Sequence, residues 1–458
     1  MDTKLLGKAA FVTGAAARSL VRCACIVLLA GCPVSKGPIQ RAIAYLNASQ
    51  TRHDSSAPGH VDYAGNWPQI FHFKNVPGYR IPDVSPFVVV FAHHALATIT
   101  PETQIALGLG DADVSNAQDM RKRAINCLLR FQADEDAHDA GTFGFWPYDA
   151  DPRPGDSPLE LTLFDLLQGP VFGGDRTPVN LSYFPSGLAV PADADVTATV
   201  YATLLDDRLL DGGPGVEIGL GALFGGNRHT NDVLLRFTPN WLPDNSGAYL
   251  TWFMRKRNAA TYGNDIDLVV NANVLFALAR YGLTDTPGFA EAIALIDDAV
   301  NDGLHRRRWD DISLYYPDSY VFHYCVSRAF AEGPIPALAP AVERLAAELI
   351  GEVRHCASGT AFWDKGHPQL NTAFAVLTLL DAGTNSPLVD EGVAYLERTQ
   401  NPATGAWDEA PFFIARADSG IVIEWESAPL TTVFALEALC KAQLRNGRHS
   451  NSSVDVPE

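Results

Sequence analysis

Two kinds of apolar segment alternate along the chain. Six are short, rich in Ala, Val and Leu and almost free of charge: 86–97 (PFVVVFAHHALA), 195–205, 267–279 (DLVVNANVLFALA), 320–331, 371–380 (NTAFAVLTLL) and 429–440. Helices that are apolar on nearly every face belong in an interior. Six others keep their charges on one side and read as surface helices: 37–48, 117–131, 248–257, 289–300, 339–353 and 389–399. The order is outer then inner, six times over, and the last four inner segments start about 50 to 60 residues apart, the length of a helix pair with its loops. The pattern predicts an all-α fold, a single (α/α)6 toroid spanning 37–443. Strand signals are sparse, and 420–425 (GIVIEW) is the best, as the arm of a short hairpin.

Two gaps in this rhythm are long. Residues 133–192 are rich in Pro, Gly and aromatics, and 211–246 precede the expected third outer helix. Loops of that length in a compact domain cover or line a site, so they are expected to close one end of the toroid.

Composition narrows the function. Of 458 residues, 53 are acidic and 34 basic, a net charge of −19. That balance argues against nucleic-acid binding, which rests on phosphate neutralisation. Seven Cys without a Cys-x-x-Cys pair make neither a disulfide framework nor a structural zinc site. The first 36 residues carry two incompatible signals. Residues 6–17 resemble the opening of a short-chain dehydrogenase, but Arg18, Ser19 and Leu20 stand where the later glycines should be. Arg22, an apolar run and Leu29-Ala30-Gly31-Cys32 resemble a bacterial lipoprotein signal, which would anchor the protein to a membrane through Cys32. Without that processing the location is cytoplasmic. Residues 444–458 read as a polar tail.

Residues 392–407 (GVAYLERTQNPATGAW) resemble the QW repeat of the terpenoid cyclase and protein prenyltransferase superfamily, through Gly392, Tyr395-Leu396, Gln400 and Gly405-x-Trp407. A second copy has Ala42, Tyr45-Leu46, Gln50 and Gly65-x-Trp67, and a third has Ala124, Cys127-Leu128, Gln132 and Gly144-x-Trp146, with Cys in place of the aromatic. In such a repeat, Gln is expected to cap the end of an outer helix and Trp to stack against it. The resemblance implies the α/α toroid; it does not by itself imply an activity.

The starts of the inner segments are acidic or amide-bearing: Asp193 and Asp195, Asp265 and Asp267, Asp318, Asn371, Glu424 and Glu426. Such residues are favoured helix caps, yet six helix starts at one mouth also gather carboxylates in one funnel. The run Asp193-Ala194-Asp195-Val196-Thr197-Ala198 resembles the Asp-x-Asp-Asp-Thr-Ala motif of class II terpenoid cyclases, with Val196 where the third Asp stands. The resemblance implies that Asp195 is the general acid that protonates an alkene or epoxide, with Asp193 as its hydrogen-bond partner. Asp265, Asp267, Asp318 and Glu426 are secondary candidates. The carbocations that follow need aromatic walls, for which Phe145, Trp146, Tyr316, Trp363 and Trp425 are the candidates.

The implied substrate is a small apolar isoprenoid. No metal site is expected; the acid chemistry itself needs no cofactor, and Mg2+ enters only with a diphosphate substrate. His323 and Cys325, with Cys356 and His367, lack the Asp-x-Cys pair of a prenyltransferase zinc site and read as core residues. Asp206-Asp207 reads as a helix end. Two alternatives stay open. A cell-envelope (α/α)6 enzyme acting on glycans would use paired carboxylates in an open polar groove. A non-catalytic toroid binding a lipid or a partner would show only exposed caps.

Overall fold

The computed structural model describes residues 36–57, 60–74, 80–133, 140–145, 192–207, 214–253, 264–416 and 422–452. Cys32, Trp146 and most of the 133–192 loop lie outside them. The chain divides after Gly37 into two units, of which the larger is the body that begins at Pro38.

That body is mainly helical. Its first helix of each pair is amphipathic: α1 (Pro38–Ser49), α3 (Asp111–Leu128), α5 (Pro214–Gly226), α7 (Phe289–Asn301), α9 (Ala339–Glu352) and α11 (Pro387–Thr399), of which the apolar α5 is the exception. In α1 only Ile39, Ala42, Ile43 and Leu46 are buried, a stripe at i, i+3, i+4 and i+7. The second helices are α2 (Pro86–Ala97), α4 (Ala194–Asp206), α6 (Leu268–Arg280), α8 (Ser319–Ala331), α10 (Pro368–Asp381) and α12 (Ala428–Ser452). Every residue of α6 from Leu268 to Leu278 is buried, as an interior helix requires. Each inner helix packs on the next, α2 on α4 and so on to α12, and α12 packs back on α2, so the series closes.

Helix starts follow from local chemistry. Ser85 caps α2, its Oγ accepting from Phe87 N at 3.2 Å, with Pro86 in the first turn, where a missing N–H costs nothing. Asp193, Asp267 and Asp318 cap α4, α6 and α8 in the same way. Each such cap stabilises its helix by about 1 kcal/mol.

Three expectations need correction. Residues 248–257 form no outer helix among those described. Tyr249 bridges Arg228, and β4 (Trp252–Phe253) pairs with β3 (Ala192–Asp193), while Asn271 bonds both the N–H and the carbonyl of Tyr249. Extended pairing therefore overrides the helical periodicity there, and the third outer helix is the glycine-rich α5, inside a segment read as loop. The helix α12 runs on to Ser452, and Arg445 pairs with Asp390 at 2.9 Å, where a polar tail was expected. Finally, the hairpin arm belongs to a four-stranded antiparallel sheet. β2 (Arg80–Asp83), β1 (Gln69–Phe73), β6 (Val422–Glu426) and β5 (Pro411–Arg416) lie in that order.

The turns after α1 and α11 repeat one arrangement. Gln400 Nε2 donates to Gly405 O and to Pro38 O, both at 2.9 Å, and Gln50 Nε2 donates to Gly65 O at 3.1 Å and Met120 O at 3.0 Å. Arg41 Nε and Arg123 Nε donate to the oxygens of Gln400 and Gln50 respectively. Trp407 and Trp67 donate their indole N–H to Leu396 O and Leu46 O at 2.9 and 2.8 Å. Trp, not Gln, therefore satisfies the helix-end carbonyl, and Gln ties the turn to the next outer helix. Gly405 and Gly65 have positive φ, and a Cβ on either would collide with the carbonyl of Arg41 or Arg123.

Candidate active site

A pocket with about 530 Å³ of empty volume, its mouth included, opens at the N-terminal ends of the inner helices. Phe87 comes from the first turn of α2, Asp193 and Asp195 from the start of α4, and Val270 from the start of α6. Tyr315 and Tyr316 precede α8, Thr251 precedes β4 and Trp252 is its first residue, and the four-stranded sheet contributes Phe413, Ile414, Ala415 and Trp425. Phe145 completes the wall.

The aromatic side is continuous. Phe413 stacks on Trp425 with ring centres 5.0 Å apart, and Phe145 meets Phe413 edge-on at 4.9 Å and Trp425 at 5.7 Å. Phe87 lies 5.3 Å from Phe413. Thr197 fixes this wall to α4. Its Oγ1 accepts from Phe143 N at 2.9 Å, two residues before Phe145.

Asp195 is 2% exposed and both of its oxygens are held. Asn273 Nδ2 donates to Oδ1 at 2.7 Å, and Tyr316 donates its hydroxyl to Oδ2. Behind Asn273 stands a buried cation: Arg328 Nη2 donates to Asn273 Oδ1 at 2.5 Å, and its guanidinium lies over the rings of Phe276 and Phe91 at 4.4 and 5.1 Å. Burial pushes the Asp195 carboxyl up to about 6, against the pull of Tyr316 and Asn273. Asp193 is raised well above the usual carboxylate range, first by burial and then by the charge of Asp195. Its Oδ1 accepts from Asp195 N at 2.6 Å and from Val196 N at 3.2 Å, so it is the helix cap as well as a pocket residue. The Tyr316 hydroxyl is pushed well up by burial and by Asp195, and so remains a donor.

The other acidic candidates are engaged elsewhere. Asp267 Oδ1 caps α6, and its Oδ2 accepts from Ser313 Oγ at 2.5 Å and Leu314 N at 2.9 Å. Asp318 accepts from Tyr320 N and from Asn371 Nδ2. Asp265 pairs with Arg236 at 3.1 Å and accepts from Tyr315 and Trp252. Glu426 pairs with Arg80 and His72, away from the pocket. Trp363 is wholly buried behind α9, where its indole N–H binds Leu349 O at 2.7 Å; it is not a cavity wall. Asp206 and Asp207 are tied to Arg280 and to Arg121 and His93 at the far end of α4.

Sequence reasoning missed Phe87, Trp252 and Asn273. Phe87 occupies on α2 the helix-start position that Asp195 occupies on α4, and Asn273 is a polar residue inside an otherwise apolar helix. Both were visible signals. Trp252 was hidden within the segment read as a helix.

No family model matches the sequence, and no curated protein resembles it significantly in sequence. In fold the chain is similar to the type II terpene cyclase MstE from Scytonema. A variant in complex with geranylgeranyl dihydroxybenzoate, its substrate, superposes with a TM-score of 0.50 at 14% identity, covering 89% of this chain and 97% of the other. A second variant, in complex with the product merosterolic acid A, gives a TM-score of 0.50 at 14% identity over 89% and 96%.

Proposed function

We propose that the chain is a class II-type terpenoid cyclase, in which six inner and six outer helices form a closed (α/α)6 toroid tied by QW-type turns. The observation that carries this reading is Asp195, a buried carboxyl opening on an aromatic pocket. The proton on Asp195 adds to one carbon of an isoprenoid double bond. The π electrons form the new C–H bond and leave a tertiary cation, which later double bonds attack in turn. Loss of a proton at the end returns the balance, with no redox change.

Each neighbour has a part in that step. Burial keeps the carboxyl protonated further up the pH scale, while Tyr316 and Asn273 stabilise the carboxylate left behind, with Arg328 as a positive charge one residue removed. Burial and the charge of Asp195 also raise Asp193, so the two carboxyls do not readily ionise together. Phe145, Phe413, Trp425 and Phe87 present ring faces and edges to cations that water would otherwise quench. These walls speak against the glycan reading, which needs an open polar groove. A merely exposed set of caps does not describe Asp195 either.

The test is product analysis by gas chromatography–mass spectrometry. Purified protein is incubated with geranyl, farnesyl and geranylgeranyl diphosphates with Mg2+, with squalene, and with the geranylgeranyl dihydroxybenzoate bound by the structural neighbour. A cyclic isomer of one of these is expected. No turnover of any of the five would overturn the reading.

A further inference from the structure

Away from the pocket, three side chains from three elements converge. His305 lies in the short helix after α7, His323 in α8 and Glu348 in α9, and one ligand-capable atom from each lies within 4.8 Å of the others. His305 Nε2 is 2.6 Å from Glu348 Oε2, and His323 Nε2 is 3.8 Å from the same oxygen. Both imidazoles are buried, at 0% and 2% exposure.

The other ring nitrogens fix the tautomers. His323 Nδ1 is 2.6 Å from Ser319 O and His305 Nδ1 is 3.5 Å from Ala299 O, and a carbonyl only accepts. Each ring therefore spends its Nδ1 proton on the backbone and turns Nε2 toward the carboxylate. Both rings could satisfy Glu348 as imidazolium only by placing two positive charges in a dry site with ring centres 5.5 Å apart. At least one Nε2 is then a bare lone pair facing a carboxylate oxygen. A divalent cation resolves that conflict, and an Nδ1–H held by a backbone carbonyl is the usual outer support of a metal-bound His.

Two other His/Glu groups lack this vacancy of charge. Around His72, Glu424 and Glu426 are already paired with Lys74 at 2.8 Å and Arg80 at 3.3 Å. Around His94, Lys441 lies 2.5 Å from Glu332 and 3.0 Å from Glu437. At Glu348 the nearest guanidinium, that of Arg306, approaches only the other oxygen, at 3.9 Å.

We infer that His305, His323 and Glu348 form a divalent-cation site that takes zinc. Two imidazoles and one carboxylate suit zinc among the common divalent ions. Ligand atoms around tetrahedral zinc stand about 3.3 Å apart, between the two distances seen here, so side-chain shifts of under about 1 Å admit the ion. Glu348 also lines an open surface groove with Arg306, Arg344 and Lys365, which gives the ion its route in and leaves room for water as a fourth ligand. The ion would pin the chain after α7 to α8 and α9, and none of its ligands lines the carboxylate pocket.

The full-length protein is stripped with a chelator, equilibrated with Zn2+ and counted by inductively coupled plasma mass spectrometry. One zinc per chain is expected, with a rise in Tm, and Co2+ in its place should show the intense visible bands of a tetrahedral ion. His323→Gln and Glu348→Gln, each checked by circular dichroism, should weaken binding at least 10- to 100-fold, and His72→Gln should leave it unchanged. Absence of stoichiometric uptake by the unmutated protein overturns the assignment, whether or not the variants fold. So does uptake that survives both substitutions or is lost with His72→Gln.

Discussion

At the N-terminal ends of the inner helices, Asp193, Asp195 and Asp267 are buried among amides, hydroxyls and backbone N–H groups. At the C-terminal ends, Glu332 and Asp381 close around His94 and Lys441, together with the buried Glu437 from the middle of α12. Burial alone raises the carboxyls at both ends. The cations decide the outcome. Near Lys441 and His94, Glu437 falls to about 2 and Glu332 well below its usual value, while His94 rises to about 9. Three carboxyls meet two cations there, and the one left over, Asp381, stands at about 6. At the pocket no cation among the described residues touches Asp195, and Arg328 reaches it only through Asn273. Glu437 and Asp195 are equally buried, yet the first is held in an ion-paired clasp and the second is an acid with a proton to give.

The sharpest test of that contrast is Asp195→Asn. The amide keeps the shape and loses the proton, so cyclisation should fall by about 10⁴-fold, the upper range for a general acid, while Tm at pH 8 does not fall, because a buried charge has been removed. Product yield and calorimetry read the two effects separately. A variant that retained a tenth of the activity would remove Asp195 from the mechanism. At the opposite end, Lys441→Met leaves three carboxyls to His94 alone. The cost should be about 3–5 kcal/mol in urea unfolding, with the turnover of the folded fraction unchanged. A neutral result would mean that the clasp contributes nothing.

How much of this was legible in the sequence depends on what each element relies on. Five of six outer helices and all six inner ones could be read because burial on one stripe or on all sides leaves a periodic trace. The third outer helix could not be read. Its five glycines lower helix propensity, whereas 248–257 has helical periodicity but is held extended at 249–253 by Asn271 and by strand pairing. Asp195 could be named because its motif stands at a helix start, while Tyr316, Phe145 and Trp425, which line the pocket with it, could be named only as aromatics. Trp363 was misassigned, since aromatic content does not say which face a ring takes. The roles of Asn273 and Arg328 depend on α6 and α8 being neighbours of α4, and no single segment carries that information.

Removing the donors to Asp195 sharpens the comparison from the other side. Tyr316→Phe and Asn273→Leu each delete one hydrogen bond to the carboxylate formed in the transfer, so each should slow turnover about 10- to 100-fold. They should also move the alkaline limb of the rate profile to higher pH. The limb reflects loss of the acid's proton as pH rises through about 6, and both donors hold that value down. A rate loss with an unmoved limb would make the two residues packing elements only.

The smallest effect is on stability, and its sign differs between the two ends. The folded pKa of Asp195 is raised above its unfolded value of 3.8, so the native state binds the extra proton. Its contribution is fully present below 3.8 and is lost as pH rises through about 6. Glu437 is the reverse, with a folded value near 2 against 4.5. Its contribution is present above 4.5 and disappears as pH falls toward 2. Urea unfolding from pH 2 to 7 should therefore show that Asp195→Asn flattens the curve only between about 4 and 6, by about 2 kcal/mol across the window. Glu437→Gln should flatten it only below about 4.5. If both substitutions acted in the same window, the two ends would not differ in how they hold charge, and the proton on Asp195 would need another explanation than the absence of a neighbouring cation.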